Sequence, residues 1–125
     1  MIYTTYFAKL RSLPKDIIPI AICAKSPAGY TGLEYRAIAP RYELLIQWKN
    51  TNDNAYYIKC FNEQVLSTLN PTKVVADLYH KAERAYCDGD IALVCYEKPT
   101  DFCHRHLVAT WLRNNGFPCE EYKYN

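Results

Sequence analysis

The sequence lacks the long apolar runs that mark membrane and secreted proteins. None of its segments approaches the roughly 18 consecutive apolar residues that a membrane-spanning helix requires. The first residues also lack the basic and apolar regions of a secretion signal. We therefore expect no membrane association and a cytoplasmic location.

Paired cysteines are also missing. None of the six cysteines stands in a Cys-x-x-Cys pair, so the zinc-ribbon spacing is absent and we predict no metal ligand. One zinc set, Cys95, Cys103 and His106, combines thiols with an imidazole, but no paired spacing supports it. Without an export signal, the cysteines indicate reduced thiols; they are Cys23, Cys60, Cys87, Cys95, Cys103 and Cys119.

The standard anion-binding loops are absent as well. The chain contains neither GxGxxG nor GxxxxGK. A phosphatase or rhodanese-type loop needs arginine six residues after its cysteine, but the sixth residue after Cys103 is Ala109. The 15 Lys and Arg residues nearly balance the 13 Asp and Glu residues, and the resulting net charge of +2 does not indicate a nucleic-acid partner. No cofactor or oligomeric state can be assigned.

The composition that remains is that of a globular protein. Half of the 125 residues are hydrophobic and 22% are charged, and neither a repeat nor a flexible linker interrupts them. We therefore predict a single domain over residues 1–125. The 12 tyrosines suit the half-buried rim of a sheet, but they also suit stacking against nucleobases or a protein partner.

Strand and helix patterns alternate along the chain. Strand patterns cover residues 2–8, 17–23 and 90–96, with a short edge strand over 119–124. Helical patterns cover 41–50, 55–69, a segment that opens at Asn70-Pro71, and 101–115 ended by Gly116. Pro19 argues against a central position for its strand. The alternation predicts a three-layer α/β fold with a mainly parallel sheet, Rossmann-like or flavodoxin-like.

Two loops that follow strands contain the chemistry-bearing residues. Ligands of parallel sheets bind outside the carboxyl ends of the strands. The loop 24–32 follows the second predicted strand, and the loop 97–102 follows the strand 90–96. If these strands are neighbours, one pocket combines two cations, a carboxylate and a helix N-terminus, which suits an anion. Its residues would be Lys25, Ser26, Glu97, Cys103, His104 and Arg105.

The start of the last helix is the densest part of this site. With Thr100 or Asp101 as its cap, Cys103 falls in the first turn, where the helix dipole lowers a thiol pKa. Helical spacing directs His104 inward and His106 outward. Adjacent helix residues seldom face each other, so His80 is a freer partner for a Cys103 nucleophile. The local sequence supports equally well a purely structural turn, in which Cys103 is packed and Arg105 pairs with Glu97, and a functional site.

A family resemblance lies in the same residues. The stretch Leu93-Val94-Cys95-Tyr96-Glu97-Lys98-Pro99, followed by Phe102-Cys103-His104-Arg105-His106-Leu107-Val108, resembles the hallmark of the domain of unknown function 488 family. The Lys25-Ser26-Pro27 loop, residues 33–40 and the helix around 57–69 match that family in order. The resemblance implies a compact Rossmann-like α/β domain and points to the six site residues named above.

Three functions remain open from the sequence. In the first, an enzyme acts on a nucleotide-like or phosphorylated molecule held by Lys25, Ser26 and Arg105. Glu97 would then be its acid or base, with Cys103 and His104 as catalytic groups. In the second, the same pocket sequesters such a ligand without turnover. In the third, the tyrosine-rich surface binds a protein or nucleic acid and the cluster is structural.

Overall fold

A five-stranded parallel sheet forms the centre of the computed structural model, which describes residues 1–86 and 88–125 and so leaves Cys87 outside the described residues. The strand order is β3-β2-β4-β1-β5. The strands are β1 (Ile2–Tyr6), β2 (Ile17–Ala21), β3 (Leu33–Glu34), β4 (Asp90–Cys95) and β5 (Cys119–Glu121). The parallel α/β prediction is confirmed, and β3 is a short strand that the sequence pattern did not indicate.

Four α-helices connect the strands. They are α1 (Tyr42–Thr51), α2 (Asn54–Gln64), α3 (Pro71–Lys81) and α4 (His104–Asn114). Three 3₁₀ helices cover Phe7–Ser12, Arg36–Ile38 and Leu66–Thr68. The second helical pattern therefore ends as a 3₁₀ turn, and the first strand gives way to a 3₁₀ helix after Tyr6. Among the described residues, we find no helix with the length and apolarity to cross a membrane.

The core lies mainly on one face of the sheet. Because successive strand residues face opposite sides, Ile91 and Leu93 of β4 belong to the large cluster that the α-helices cover. Ala92 faces the other side, where Leu13 and Ile17 pack with partly buried tyrosines. The layers are therefore the helices, the sheet, and a thinner cover that includes the segment after β1.

Pro19 lies in an interior strand without removing a ladder hydrogen bond. The backbone N–H of Ile22 donates to Val94 (3.0 Å), and alternate residues of a strand donate to the same neighbour. Pro19 therefore presents its nitrogen to the other side, where β3 pairs only with Ile20 and Ala21. A proline disfavours a central strand of a sheet, but the pairing with β3 begins only at Ile20, one residue after Pro19.

The start of α4 differs from the prediction. Its N-cap residue is Cys103, and neither Thr100 nor Asp101 caps it. The reason is a separate turn over 98–101, closed by the Asp101 N–H and the Lys98 carbonyl (3.0 Å), which delays the helix. The helix ends as predicted, because Gly116 adopts a φ of +88° that favours glycine.

Candidate functional site

A cavity of about 800 Å³ opens at the carboxyl edge of the sheet, where β2 and β4 lie side by side. The segments after β2, β3 and β4 line it, together with α1 and the start of α4. This edge is where parallel sheets bind ligands, and the volume is typical of small-molecule sites. The fold therefore has a cavity at the sheet edge where the sequence pattern predicts a site.

Two thiols and one imidazole form the floor of the cavity. Cys95 ends β4, while Cys103 and His104 begin α4, and all three are buried. Their two Sγ atoms and the Nδ1 atom of His104 lie within 4.8 Å of one another. Nδ1 is 3.6 Å from the Cys95 sulfur and 3.9 Å from the Cys103 sulfur. The connection from β4 to α4 thus brings two sulfur donors and one nitrogen donor around one point.

His104 is held by its other ring nitrogen. Nε2 lies 2.8 Å from the backbone carbonyl oxygen of Ile22, and a carbonyl only accepts hydrogen bonds. Nε2 therefore carries a hydrogen, and in the neutral ring the lone pair of Nδ1 points at the two sulfurs. The ring also packs edge-on against Phe61, with centroids 5.6 Å apart. His104 is 3% exposed and points inward, as the helical spacing predicts.

The two floor thiols differ in acidity. A hydrogen bond from Cys95 lowers the pKa of the Cys103 thiol, and His104 and the Arg105 backbone N–H lower it further against the opposing effect of burial. The hydrogen bond with Cys103 and burial raise the pKa of Cys95. Cys103 is therefore the first of the pair to ionise. Burial also raises the pKa of the Glu97 carboxyl, which lies beside them.

Aromatic side chains form one wall of the cavity. Trp48 of α1 stacks on Phe102 with ring centroids 5.4 Å apart, and Tyr57 of α2 meets Phe102 edge-on at 5.1 Å. The Trp48 indole is further fixed by its Nε1–H, which donates to Asn54 (2.6 Å). These flat, oriented rings offer a surface on which an aromatic ligand can stack.

Positive charge is concentrated among the lining residues. Four cationic side chains line the cavity, against the single carboxylate of Glu97; they are Lys25, Arg36, Arg41 and Lys49. Arg36 already donates to Glu34 (2.7 Å) and to the Ala24 carbonyl. Within the described part of the chain, the other three cations form no ion pair. A chain with a net charge of only +2 thus concentrates positive charge among the residues that line this cavity.

The structure brings four of the six sequence-predicted site residues to the cavity. Lys25, Glu97, Cys103 and His104 line it. Ser26 lies in the loop after β2, but its hydroxyl donates to the Glu34 carboxylate (2.5 Å) and it is not a lining residue. Arg105 is the sixth, and it lies elsewhere.

Arg105 belongs to a buried ion pair beside the cavity. Its side chain is 0% exposed, and Nε and Nη2 each donate to a Glu121 carboxylate oxygen at 3.0 Å. Nη1 donates to the backbone carbonyl of Glu97 (2.6 Å), and Thr4 donates to the same Glu121 carboxylate. An Arg105–Glu97 side-chain pair is therefore not formed: β5 supplies the carboxylate and Glu97 contributes only its main chain.

The remaining histidines and cysteines are outside this arrangement. His106 is half-buried rather than outward, and its Nε2 finds no hydrogen-bond partner among the described residues. His80 is exposed on α3, and neither histidine lines the cavity. Cys23 lines it with a pKa raised by burial. The five described cysteines are free thiols, and Cys87 lies outside the described residues.

Sequence reasoning missed the contribution of α1. Arg41, Leu45, Trp48 and Lys49 stand at helical spacings of four, three and one, which places them on one side of the helix. Their pattern, two cations around an aromatic ring, is a signal of a binding face. It was obscured because Leu45 and Trp48 also fit the apolar core stripe of an amphipathic helix.

Comparison with known proteins identifies a family. No curated protein and no solved structure matches the chain. The family model DUF488-N3a, described as the active DUF488-N3 subclade, matches residues 4–116. The match includes every residue of the cavity floor and wall described above. The chain therefore belongs to the DUF488 family.

Proposed function

We propose that this protein is an enzyme that binds a nucleotide-like or other phosphorylated small molecule in the cavity and acts on it at the floor. One observation supports the proposal. Three groups of side chains line a single cavity. They are the aromatic wall, the cations Lys25, Arg41 and Lys49, here called the rim, and the floor of two thiols and one imidazole with the Glu97 carboxylate beside it. Each of the three parts suits a different portion of such a ligand.

The wall and the rim explain binding. A base or similar flat ring stacks on the Trp48 and Phe102 side of the cavity. Phosphate oxygens then meet Lys25, Arg41 and Lys49, which can form charge-assisted hydrogen bonds with them. Neutral analogues have only the stacking contact, so the phosphate should contribute much of the affinity.

The floor distinguishes an enzyme from a sequestering module. Polar, reactive groups lie where a simple binding pocket needs none; they belong to Cys95, Cys103, His104 and Glu97. The description of the matched subclade as active agrees with turnover. A non-catalytic module would use the same wall and rim, so only the fate of the bound ligand separates the two functions.

Binding is tested with adenosine 5′-monophosphate and adenosine. Native mass spectrometry of the purified protein first reveals any co-purified ligand, and calorimetry then compares the two probes. We expect the monophosphate to bind at least about tenfold more tightly, the lower end for one hydrogen bond to a charged group. The triple substitution Lys25→Ala, Arg41→Ala, Lys49→Ala should abolish that preference.

A matched triple controls for net charge. Lys59→Ala, Lys81→Ala and Lys123→Ala remove three exposed cations that do not line the cavity, and should leave the preference intact. The cavity is not an anion site if both triples behave alike or if none of the four common ribonucleoside monophosphates binds. A ligand that binds but is recovered unchanged after prolonged incubation indicates the sequestering module instead.

A further inference from the structure

We propose that the floor of the cavity is a zinc site. Cys95 Sγ, Cys103 Sγ and His104 Nδ1 would hold one Zn²⁺, with the fourth coordination position open to the cavity. The proposal goes beyond the proposed function, because it concerns the metal alone and holds whether or not a nucleotide binds.

The spacing of the donor atoms fits tetrahedral zinc. Bonds of about 2.3 Å to sulfur and about 2.0 Å to nitrogen place neighbouring S and N ligands about 3.5 Å apart. The His104 Nδ1 atom is 3.6 Å from Cys95 Sγ and 3.9 Å from Cys103 Sγ. The two sulfur atoms lie within 4.8 Å of each other, and two sulfur ligands of tetrahedral zinc lie about 3.8 Å apart.

His104 is oriented as metal-binding histidines are. Its outer nitrogen is fixed by the Ile22 carbonyl, which sets the tautomer and turns Nδ1 toward the sulfurs. Such a bond from the second ring nitrogen to a carbonyl or carboxylate is almost universal among histidine ligands. The imidazole is therefore already prepared as a donor, before any metal arrives.

A dication bound at this point would have its charge balanced by the two cysteines. Zn²⁺ binds cysteine as thiolate, so Cys95 and Cys103 together neutralise it and their thiol protons leave to solvent. All three ligands are buried, where two unpaired thiolates would be strongly disfavoured. A metal–dithiolate unit with no net charge avoids the cost of burying unpaired thiolates.

The same geometry argues against a Cys103–His104 nucleophile pair. Hydrogen bonds to sulfur are longer than those between nitrogen and oxygen, and the 3.9 Å between the Cys103 sulfur and Nδ1 is long even for a sulfur contact. The nitrogen is nearer to Cys95 than to Cys103, so it serves neither thiol alone. One imidazole between two thiols is the arrangement of a ligand set.

Three protein ligands and an open side resemble a catalytic metal centre more than a structural one. All three ligands line the cavity, and the Glu97 carboxylate lies 3.9 Å from Cys95 Sγ on the same floor. A ligand oxygen or water would therefore complete the coordination from the cavity side. The ligand set is hard to recognise in the sequence. The two cysteines are eight positions apart, since one ends β4 and the other caps α4.

The test measures metal content and a cobalt spectrum. The full chain is purified under reducing conditions, stripped with a chelator, reloaded with Zn²⁺ or Co²⁺ and freed of excess ion. We expect one metal per chain by elemental mass spectrometry. The cobalt form should show a thiolate-to-metal charge-transfer band in the near ultraviolet and intense visible bands of a tetrahedral site.

Three ligand variants and two controls assign the site. Cys95→Ser, Cys103→Ser and His104→Gln should each lose the tightly held metal. In His104→Gln, the amide nitrogen can still donate to the Ile22 carbonyl while the Nδ1 donor is gone, which separates coordination from packing. Cys23→Ser, on the same cavity, and Cys119→Ser, buried in the core, should retain one metal per chain.

Clear outcomes would overturn the proposal. Less than one metal in the reduced wild type, a cobalt form without a charge-transfer band, or equal metal loss in Cys23→Ser would each do so. If a ligand variant fails to fold, X-ray absorption of the zinc-loaded wild type still decides, since two sulfur ligands and one nitrogen are expected. One metal per chain without binding of adenosine 5′-monophosphate supports the zinc site and contradicts only the proposed function.

Discussion

His104 and Arg105 are successive residues, both buried, yet they belong to two different regions of the molecule. His104 faces the cavity floor, whereas Arg105 faces the β1 and β5 side of the sheet, where it lies over the ring of Tyr6. A rotation of about 100° per helical residue is enough to separate them. Two successive residues with reactive or charged side chains therefore need not belong to the same site.

The two regions also differ in how their polar groups are satisfied. The Arg105 guanidinium makes three hydrogen bonds, two of them with one carboxylate, and has no access to solvent or to the cavity. On the floor, by contrast, the contacts between Nδ1 and the two sulfur atoms are long, at 3.6 Å and 3.9 Å. Each nitrogen of the Arg105 guanidinium therefore has a close partner, whereas the floor groups make longer contacts and line the cavity.

The largest expected effect is on stability, from Arg105→Met. This change leaves the Glu121 carboxylate without its partner and the Glu97 carbonyl without its donor. We expect the free energy of unfolding in urea to fall by about 3 kcal/mol, the low end for a broken buried pair, since Glu121 remains partly exposed. Zinc content of the folded fraction should not change.

A double variant shows whether the loss comes from the ion pair. Arg105→Met with Glu121→Leu removes both charges, and should recover part of the stability lost by Arg105→Met alone. If Arg105→Met is instead as stable as the wild type but fails to bind adenosine 5′-monophosphate, Arg105 is a ligand-binding residue and the separation of the two regions is wrong.

A smaller effect is expected on the aromatic wall, where the two tryptophans can be compared. Trp48 lines the cavity, whereas Trp111 of α4 packs against the core and does not line it. Trp48→Ala should weaken binding of adenosine 5′-monophosphate about tenfold, since a stacked base contributes roughly 1–3 kcal/mol. Calorimetry on Trp111→Ala should give an unchanged Kd, and equal losses in the two variants would refute a specific stacking wall.

The fold was largely predictable because local patterns and burial agree. The unbroken apolar run in β4 indicates a strand covered on both faces, and β4 lies between β1 and β2 with every residue after Asp90 buried. The strand order and the two-residue β3 were not predictable. They depend on how α1 to α3, which connect β3 to β4 along the chain, pack against the sheet, and no local pattern encodes that packing.

The candidate site was predictable only in part. Cys103 and His104 follow a strand and start a helix, so their place at the sheet edge follows from local sequence. The role of Cys95 and the face of α1 depend on which strands are neighbours and how the first helix crosses them. Arg105 was misplaced because its partner, Glu121, lies 16 residues away on the last strand.

The smallest expected effect comes from an exposed counterpart of the Arg105 pair. Tyr35 donates to Asp77 (3.0 Å), and this hydrogen bond, followed by Lys73, lowers the pKa of the Asp77 carboxyl. A lowered carboxyl pKa stabilises the fold above the unfolded pKa, and that contribution is lost as the pH falls through the folded pKa. Tyr35→Phe should therefore reduce the free energy of unfolding slightly at neutral pH and not in acid.

Urea unfolding of wild type and Tyr35→Phe at neutral and acidic pH measures this difference. Lys73→Ala removes a hydrogen bond and a charge that also lower the pKa of Asp77, but it should have a smaller effect at neutral pH because the Lys73–Asp77 pair is well exposed. A Tyr35→Phe loss as large as that of Arg105→Met would contradict the comparison. Burial would then not be what makes the Arg105 pair strong, and full satisfaction of hydrogen bonds would no longer separate structural from functional polar groups here.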